Sequence, residues 1–259
     1  MQNGGVITVI TAEEVVTAAK NSFEASFAEN AFYNRQTRDD SHLRAILDFI
    51  PVSGGMRILD IGTGSGYLSF ALAKRYPSVS VTGLDIAEMT LETDRQRAAG
   101  EGIDNIDFVS YDGIELPFAD GEFDIVVSRY ALHHFPDIEK SISGISRVLK
   151  DHGRLFISDL APNSNDTAGF IDEYMRVKKD GHIRFYSLGD WERLCGCAGL
   201  YSEKFFESTI RFPRKYERVY HDIMARHERT VVDGYEIKIT GDEIFVTERV
   251  NNVLFVKRV

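Results

Sequence analysis

Cysteine is scarce in this chain, with two residues in 259, Cys195 and Cys197. They lie two apart in a stretch of helical pattern, where a bridge between them would be strained, so a disulfide framework is excluded. No His/Cys grouping has metal-ligand spacing, and no metal is expected. No apolar run reaches bilayer length, so no membrane partner is expected either. Residues 1–5 lack the basic region of a secretory signal, and the apolar residues 6–10 are too short for its core, which points to a cytoplasmic protein. Positive charge is in deficit: 30 Lys and Arg against 40 Asp and Glu leave a net charge of −10. Binding to phosphate backbones needs clustered Lys and Arg, so a general nucleic-acid binder is excluded. Internal repeats are missing too. The remainder is ordinary globular material, 43% hydrophobic and 27% charged, long enough for one large core with a cap.

The stretch richest in chemistry is Arg57-Ile58-Leu59-Asp60-Ile61-Gly62-Thr63-Gly64-Ser65-Gly66-Tyr67-Leu68-Ser69-Phe70-Ala71-Leu72-Ala73. It starts as an apolar run of strand length. After three alternate glycines, Leu68, Ala71 and Leu72 fall at helical spacing. Glycine permits a tight turn and the close approach of a ligand. The first turn of the following helix offers unpaired N–H groups and positive partial charge. A nucleotide-type cofactor site is predicted here. The dinucleotide fingerprint G-x-G-x-x-G/A requires a small third residue, but Tyr67 stands there. The glycines read G-x-G-x-G instead, with Asp60 ending the strand.

Residues 79–85 form a second strand ending in Asp85, 23 residues beyond Gly62. That separation suits a carboxylate accepting from both hydroxyls of a ribose. Ile86 and Met89 follow as a polar helix begins. A third strand at 106–109 precedes Tyr111-Asp112-Gly113-Ile114, and an apolar fourth at 123–127 leads into Ser128-Arg129-Tyr130-Ala131-Leu132-His133-His134. A fifth, at 154–158, ends at Asp159. Apolar strands alternating with amphipathic helices predict a mostly parallel sheet covered on both faces. Gly62, Asp85, Asp112 and Ser128-Arg129 all fall at strand carboxyl ends, where such sheets bind ligands.

The flanks are less informative. Thr11-Ala12-Glu13-Glu14 reads as a capping box opening a helix whose apolar face leads toward Tyr33, and a second helix at 41–50 stops at Pro51. Beyond the fifth strand, residues 163–186 read as helical and basic, and Ser187 caps a helix to about 198. Strand-like segments follow at 201–211, 232–240, 242–248 and 252–257, with a helix at 214–227. The basic excess across 211–229 reads as a solvated helix face, with an acidic acceptor as the alternative.

On these residues the chain resembles the class I S-adenosylmethionine-dependent methyltransferases, whose first motif ends a strand as D-x-G-x-G-x-G. The branch with the ubiquinone and menaquinone methyltransferases is most similar, through Leu116-Pro117-Phe118, Arg129 to Phe135 and Leu149-Lys150-Asp151-His152-Gly153-Arg154-Leu155. The resemblance implies a Rossmann-like α/β fold: a seven-stranded, mostly parallel sheet with an antiparallel last strand and helices on both faces. One domain would span residues 1–259, with a helical leader (1–52), a cofactor core (53–160) and a substrate-side cap with closing strands (161–259). It further implies methyl transfer from S-adenosylmethionine, leaving S-adenosylhomocysteine, to carbon or oxygen of a small molecule. Cofactor contacts are expected from Tyr33, Asp60, Gly62, Thr63, Gly64, Gly66, Asp85, Ile86, Met89, Asp112, Gly113, Ile114, Ser128 and Arg129. His133, His134 and His182 are the candidate catalytic groups, with packing roles as the alternative for each. The Asn/Asp-Pro-Pro loop of amino-nitrogen methylation and the Pro-Cys of pyrimidine-carbon methylation are both missing after the fourth strand. An NAD-type oxidoreductase, disfavoured by Tyr67, and a non-catalytic cofactor-binding scaffold remain as rival readings.

Overall fold

The computed structural model describes residues 11, 13–17, 20, 21, 40–178 and 180–258. The capping box forms as read, since Thr11 N–H donates to Glu14 Oε2 at 2.8 Å and Glu14 N–H to Thr11 Oγ1 at 3.2 Å. Helix α1 (Asp40–Phe49) buries Ile46 and Leu47 before Pro51. The alternation of strand and helix follows as β1 (Arg57–Ile61), α2 (Tyr67–Arg75), β2 (Ser80–Asp85), α3 (Glu88–Glu101), β3 (Ile106–Ser110), β4 (Phe123–Arg129), α4 (Ile138–Val148) and β5 (Leu149–Ala161). The chain then runs through α5 (Phe170–Arg176), α6 (Leu188–Cys197), β6 (Leu200–Lys215), α7 (Arg218–Arg226), α8 (Arg229–Asp233), β7 (Lys238–Thr240) and β8 (Glu243–Lys257).

The strands form one sheet in the order β3-β2-β1-β4-β5-β8-β6, with β7 paired to β8. From β3 to β5 every pairing is parallel, and β8 runs antiparallel to both β5 and β6. The Rossmann-like expectation holds, with an eighth short strand added. Successive strand residues face opposite sides. Ile58 packs with α1 and α2 through Leu47, Leu68 and Leu72, while its neighbour Leu59 packs with α4 and α6 through Ile142, Ile145 and Trp191. Strand order reverses between β1 and β4, which opens the crevice at their carboxyl ends.

The cap is built partly from the sheet itself. The last β5 residue, Ala161, pairs with Arg249, whereas β6 and β8 remain paired as far as Lys215 and Glu243. Their extension rises above the rim and meets α5, α7 and α8 through Phe212, Ile244, Val246, Tyr174, Tyr220 and Val231.

Four expectations from the second half need correction. Among the described residues of 163–186 only Phe170–Arg176 is helix. Asp166 accepts the N–H groups of Phe170 and Ile171 at 2.7 and 2.9 Å, setting its start, and Asp180-Gly181 falls beyond its end. The strand read at 232–240 is the end of α8 and then only Lys238–Thr240. The segments at 242–248 and 252–257 are one strand, because Asn252 is an interior residue of the ladder and not a turn. It is fully buried, accepting from Ser158 Oγ at 2.8 Å and donating to Ser208 Oγ at 2.9 Å. The fifth strand begins at Leu149, five residues before Arg154.

Candidate active site

The glycine turn is held from below. Gly62 and Thr63 N–H groups both donate to the Leu84 carbonyl, at 2.8 and 3.1 Å. Gly62 has φ +70°, and a Cβ there would lie 2.3 Å from Ala131 Cβ, so no side chain fits. Buried Asp60 accepts from Thr63 Oγ1 at 2.9 Å and Ser69 Oγ at 2.7 Å, tying the strand end to both turn and helix. Gly66, at φ +68°, caps α2 with its Cα against the Phe70 ring and does not line the cavity.

Above this turn lies a cleft whose floor includes Gly62, Thr63, Gly64, Asp85, Ile86, Tyr111 and Gly113. Asp85 is the fixed point. Its Oδ2 accepts from Gly64 N–H at 2.9 Å and its Oδ1 from Ala87 N–H at 3.0 Å. Each oxygen keeps a second lone pair for a ligand hydroxyl. Val16 of the leader lines the same end, against Gly113. Ile114 lies in an adjoining recess that shares Tyr111, Gly113 and Phe135 with the cleft. Asp112 is exposed outside it, its Oδ1 accepting from Ile114 and Glu115 N–H at 2.8 and 3.0 Å, which holds its carboxyl below the usual range. Ser128 turns away and donates to the Ile61 carbonyl at 2.9 Å. Met89 is 70% exposed and also outside the cleft. Tyr33 lies outside the described residues.

Beneath the turn, burial raises the carboxyls of Asp60 to about 6, Asp94 to about 7 and Asp85 above its ordinary value. Asp94, on α3, has a buried Oδ2 with no partner. A folded-state pKa above the unfolded one means the native protein holds a proton that the unfolded chain has released. This contribution is therefore most favourable below about pH 4 and declines as pH rises toward 7. Asp94→Asn is expected to raise Tm by roughly 4–8 °C at pH 8, corresponding to about 2 kcal/mol, and to change it little at pH 4. Calorimetry at the two pH values checks this; an equal shift at both would remove the titration argument.

At the β4 end, the Arg129 guanidinium stacks over Tyr67 and Tyr130, at 4.4 and 4.0 Å from the ring centroids. Tyr67, the residue that breaks the dinucleotide fingerprint, thus forms a wall of the cleft. Tyr130 has φ +55°, a strained conformation for an aromatic residue, costing on the order of 1–2 kcal/mol. It is held there by its N–H bond to the Ser158 carbonyl at 2.9 Å. The 3₁₀ turn Leu132–His134 then brings two imidazoles to the cleft. His133 Nδ1 meets Asp159 Oδ1 at 2.6 Å, and His133 N–H donates to Asp159 Oδ2 at 3.2 Å. The dyad leaves Nε2 of an oriented imidazole for a ligand. Burial, then the neighbouring His133, push the His134 imidazole well below its ordinary range, so it stays neutral.

His182 does not line the cleft. Its Nε2 meets Asp172 Oδ1 at 2.8 Å and its ring packs on Phe185 and His133, while Ile183 N–H bonds the His133 carbonyl at 3.1 Å. It thus meets the His133 turn from the cap side. On the cap side the wall includes Leu160, Met175, Lys178, Asp180, Phe212 and Arg214, of which the sequence had marked Arg214 only as part of the basic excess across 211–229. The helix read from 214 begins only at Arg218, and Arg214 belongs instead to the end of β6, where it takes the buried side of the strand beside Phe212 and calls for a partner.

A family described as a methyltransferase domain matches residues 52–192, more than half of the chain. The chain belongs to this family, and with it to the S-adenosylmethionine-dependent methyltransferases. It is 31% identical over 176 residues to an uncharacterised methyltransferase, YcgJ, of Bacillus subtilis (strain 168), spanning 66% of this chain and 68% of that one. It is 35% identical over 159 residues to the 27-O-demethylrifamycin SV methyltransferase of Amycolatopsis mediterranei (60% and 57%). With the ubiquinone/menaquinone biosynthesis C-methyltransferase of Cereibacter sphaeroides, 32% identity extends over 122 residues (47% and 49%). The chain thus spans only about half the length of these last two relatives. The crystal structure of YcgJ superposes with a TM-score of 0.73 at 24% identity, covering 84% of this chain and 98% of that one. The [4+2]-cyclase SpnF superposes over 99% of this methyltransferase and 100% of its own chain, with a TM-score of 0.67 at 18% identity. Such likenesses establish the fold alone.

The residues present fit the family's cofactor. The Asp85 lone pairs suit vicinal hydroxyls, the open φ +55° turn at Gly64 leaves room above the helix start, and Arg129 Nε is a buried donor without a partner. Among the described residues no grouping of His, Cys, Asp or Glu could hold a metal, and no helix is long and apolar enough to cross a membrane.

Proposed function

We propose that this methyltransferase moves a methyl group from S-adenosylmethionine to carbon or oxygen of a small-molecule acceptor seated under the cap. The observation that carries this reading is one continuous cleft, with the glycine turn and Asp85 as floor, the cap as roof, and the His133–Asp159 pair between them. S-adenosylmethionine supplies an electrophilic methyl on its sulfonium when bound. Asp85 accepts from the ribose hydroxyls, Ile86 and Gly113 bound the adenine, and Arg129 answers the carboxylate of the methionine portion. Gly64 keeps the space above the turn clear. His133 receives the acceptor's proton at Nε2 as a general base, with Asp159 fixing the ring through Nδ1. Leu160, Phe212 and Tyr130 exclude water and align the acceptor, a contribution that can reach roughly 7–11 kcal/mol for well-oriented partners. The relatives that act on rifamycin and on quinone precursors, by their names, suggest ring-bearing acceptors. Isothermal titration with S-adenosylmethionine and S-adenosylhomocysteine tests the floor, with micromolar binding of both expected. A methyl-transfer screen of small metabolites tests the roof. A folded protein that binds neither compound would end this reading.

A further inference from the structure

We propose that the methyl acceptor carries a carboxylate, bound by Arg214 at the cap end of the cleft; this rests on the methyl-transfer reading above. Arg214 lines the cleft yet is only 8% exposed. Its Nη2 donates to Met175 Sδ at 2.8 Å, a weak acceptor. Nε and Nη1 are buried without a geometric hydrogen bond, and the guanidinium otherwise meets tyrosines, lying 5.7 Å from the Tyr174 ring centroid and beside the Tyr220 side chain. A guanidinium held this way, without a carboxylate in ion-pair contact among the described residues, is costly unless a ligand completes it. Its planar donors match a carboxylate best.

The acids nearby do not answer it. Asp180, also in the cleft wall, is paired with Lys178 Nζ at 3.0 Å, so these two charges offset each other. Glu248 is 1% exposed, and both its oxygens lack partners. Burial pushes its carboxyl up to about 7, leaving it only partly ionised at neutral pH. Arg214 thus remains a positive charge facing a cavity, offset only in part by Glu248 and Asp180 and by no carboxylate in direct contact. The cofactor floor is carried by other strands: in the sheet β6 stands five strand positions from β2, roughly 24 Å at ordinary strand spacing, although both contribute to one cleft. The surrounding wall of Leu160, Met175, Phe212 and Tyr130 is apolar or aromatic, so the acid sits on an apolar or ring-bearing body. One guanidinium without a contacting carboxylate suits a single negative charge, which favours carboxylate over phosphate dianion.

The test uses the full chain saturated with S-adenosylhomocysteine. It is titrated calorimetrically with benzoate, 4-hydroxyphenylacetate, indole-3-acetate and octanoate, with the primary amide of each, and with phenyl phosphate. At least one carboxylate is expected to bind about 10-fold or more tightly than its amide. Arg214→Met should erase that preference to within about twofold and leave S-adenosylhomocysteine affinity within about twofold. Arg214→Lys, which keeps the charge but not the planar donors, should reduce the preference at least about threefold; it also serves as the test if the methionine variant does not fold. Amides binding as well as acids, phenyl phosphate outbinding every carboxylate, or no binding of any carboxylate would overturn the proposal. So would a preference unchanged in Arg214→Lys, or a folded Arg214→Met that loses the cofactor product. Failure of the parent chain to bind S-adenosylhomocysteine would instead overturn the methyl-transfer reading itself, and that titration is read first.

Discussion

Asp85→Ala is expected to weaken S-adenosylmethionine binding by at least about 100-fold. Each Asp85 oxygen accepts one backbone N–H, from Gly64 and Ala87, and so presents its remaining lone pair in a fixed direction. Hydrogen bonds to a charged group contribute about 1.5–3 kcal/mol each. Two of them to a ribose amount to roughly 3–6 kcal/mol, or about 10²- to 10⁴-fold in affinity. The substitution also removes the acceptor for Gly64 N–H and loosens the turn above which the rest of the cofactor lies. Asp85→Asn separates the two effects: its single carbonyl oxygen can keep one backbone bond but cannot serve both hydroxyls. It should fall between alanine and the parent. Titration calorimetry gives the affinities and a thermal melt establishes that the variants fold. Parental affinity in a folded Asp85→Ala chain would remove Asp85 from the site.

The floor of this site was legible because local chemistry dictates it. A strand must end and turn at Gly62, where a Cβ would strike Ala131, and the carboxylate at the next strand tip has a predictable direction. Ser128, Asp112 and Met89 show where that logic stops. Each stands beside the right strand or helix end, but Ser128 turns to the Ile61 carbonyl, Asp112 to its own turn, and Met89 outward. Position along a strand fixes which face a side chain takes, not how far it reaches into a crevice. The roof was far less legible. Asn251 and Asn252 look like turn residues, yet the ladder runs through them because Ser158 and Ser208 satisfy the Asn252 amide. Arg214 and Asp159 acquire meaning only when β5, β6 and β8 come together, and no periodicity records a pairing between residues 94 apart, as Ser158 and Asn252 are. The cofactor end is specified by contiguous sequence and the acceptor end by long-range contacts, so substrate choice is the part that sequence reading left open.

His133→Gln is expected to lower kcat by about 10²- to 10⁴-fold with cofactor affinity unchanged, the usual range for a lost general base. The argument turns on what surrounds the two imidazoles. His133 has a buried carboxylate on Nδ1, so the positive charge it gains on taking a proton is compensated within the dyad. His134, 4.1 Å away between ring centroids, is held neutral by burial first and by its neighbour second, which together outweigh the opposing pull of Asp180 and the Gly181 backbone. A proton arriving from the acceptor therefore belongs on His133. Asp159→Asn should reproduce much of the loss, because an amide cannot stabilise the imidazolium, although its side chain can still hold the ring. His134→Asn should cost at least about tenfold less than His133→Gln, as expected for a group that shapes the cleft without accepting the proton. Single-turnover rates at saturating cofactor, measured with the first acceptor a screen provides, separate this step from product release. Parental rates in His133→Gln would mean that the acceptor needs no base, and the pair would then be a packing device that fixes the β4 turn. Equal losses from His133→Gln and His134→Asn would point to the same conclusion by another route, since only geometry, and not proton affinity, is common to the two rings.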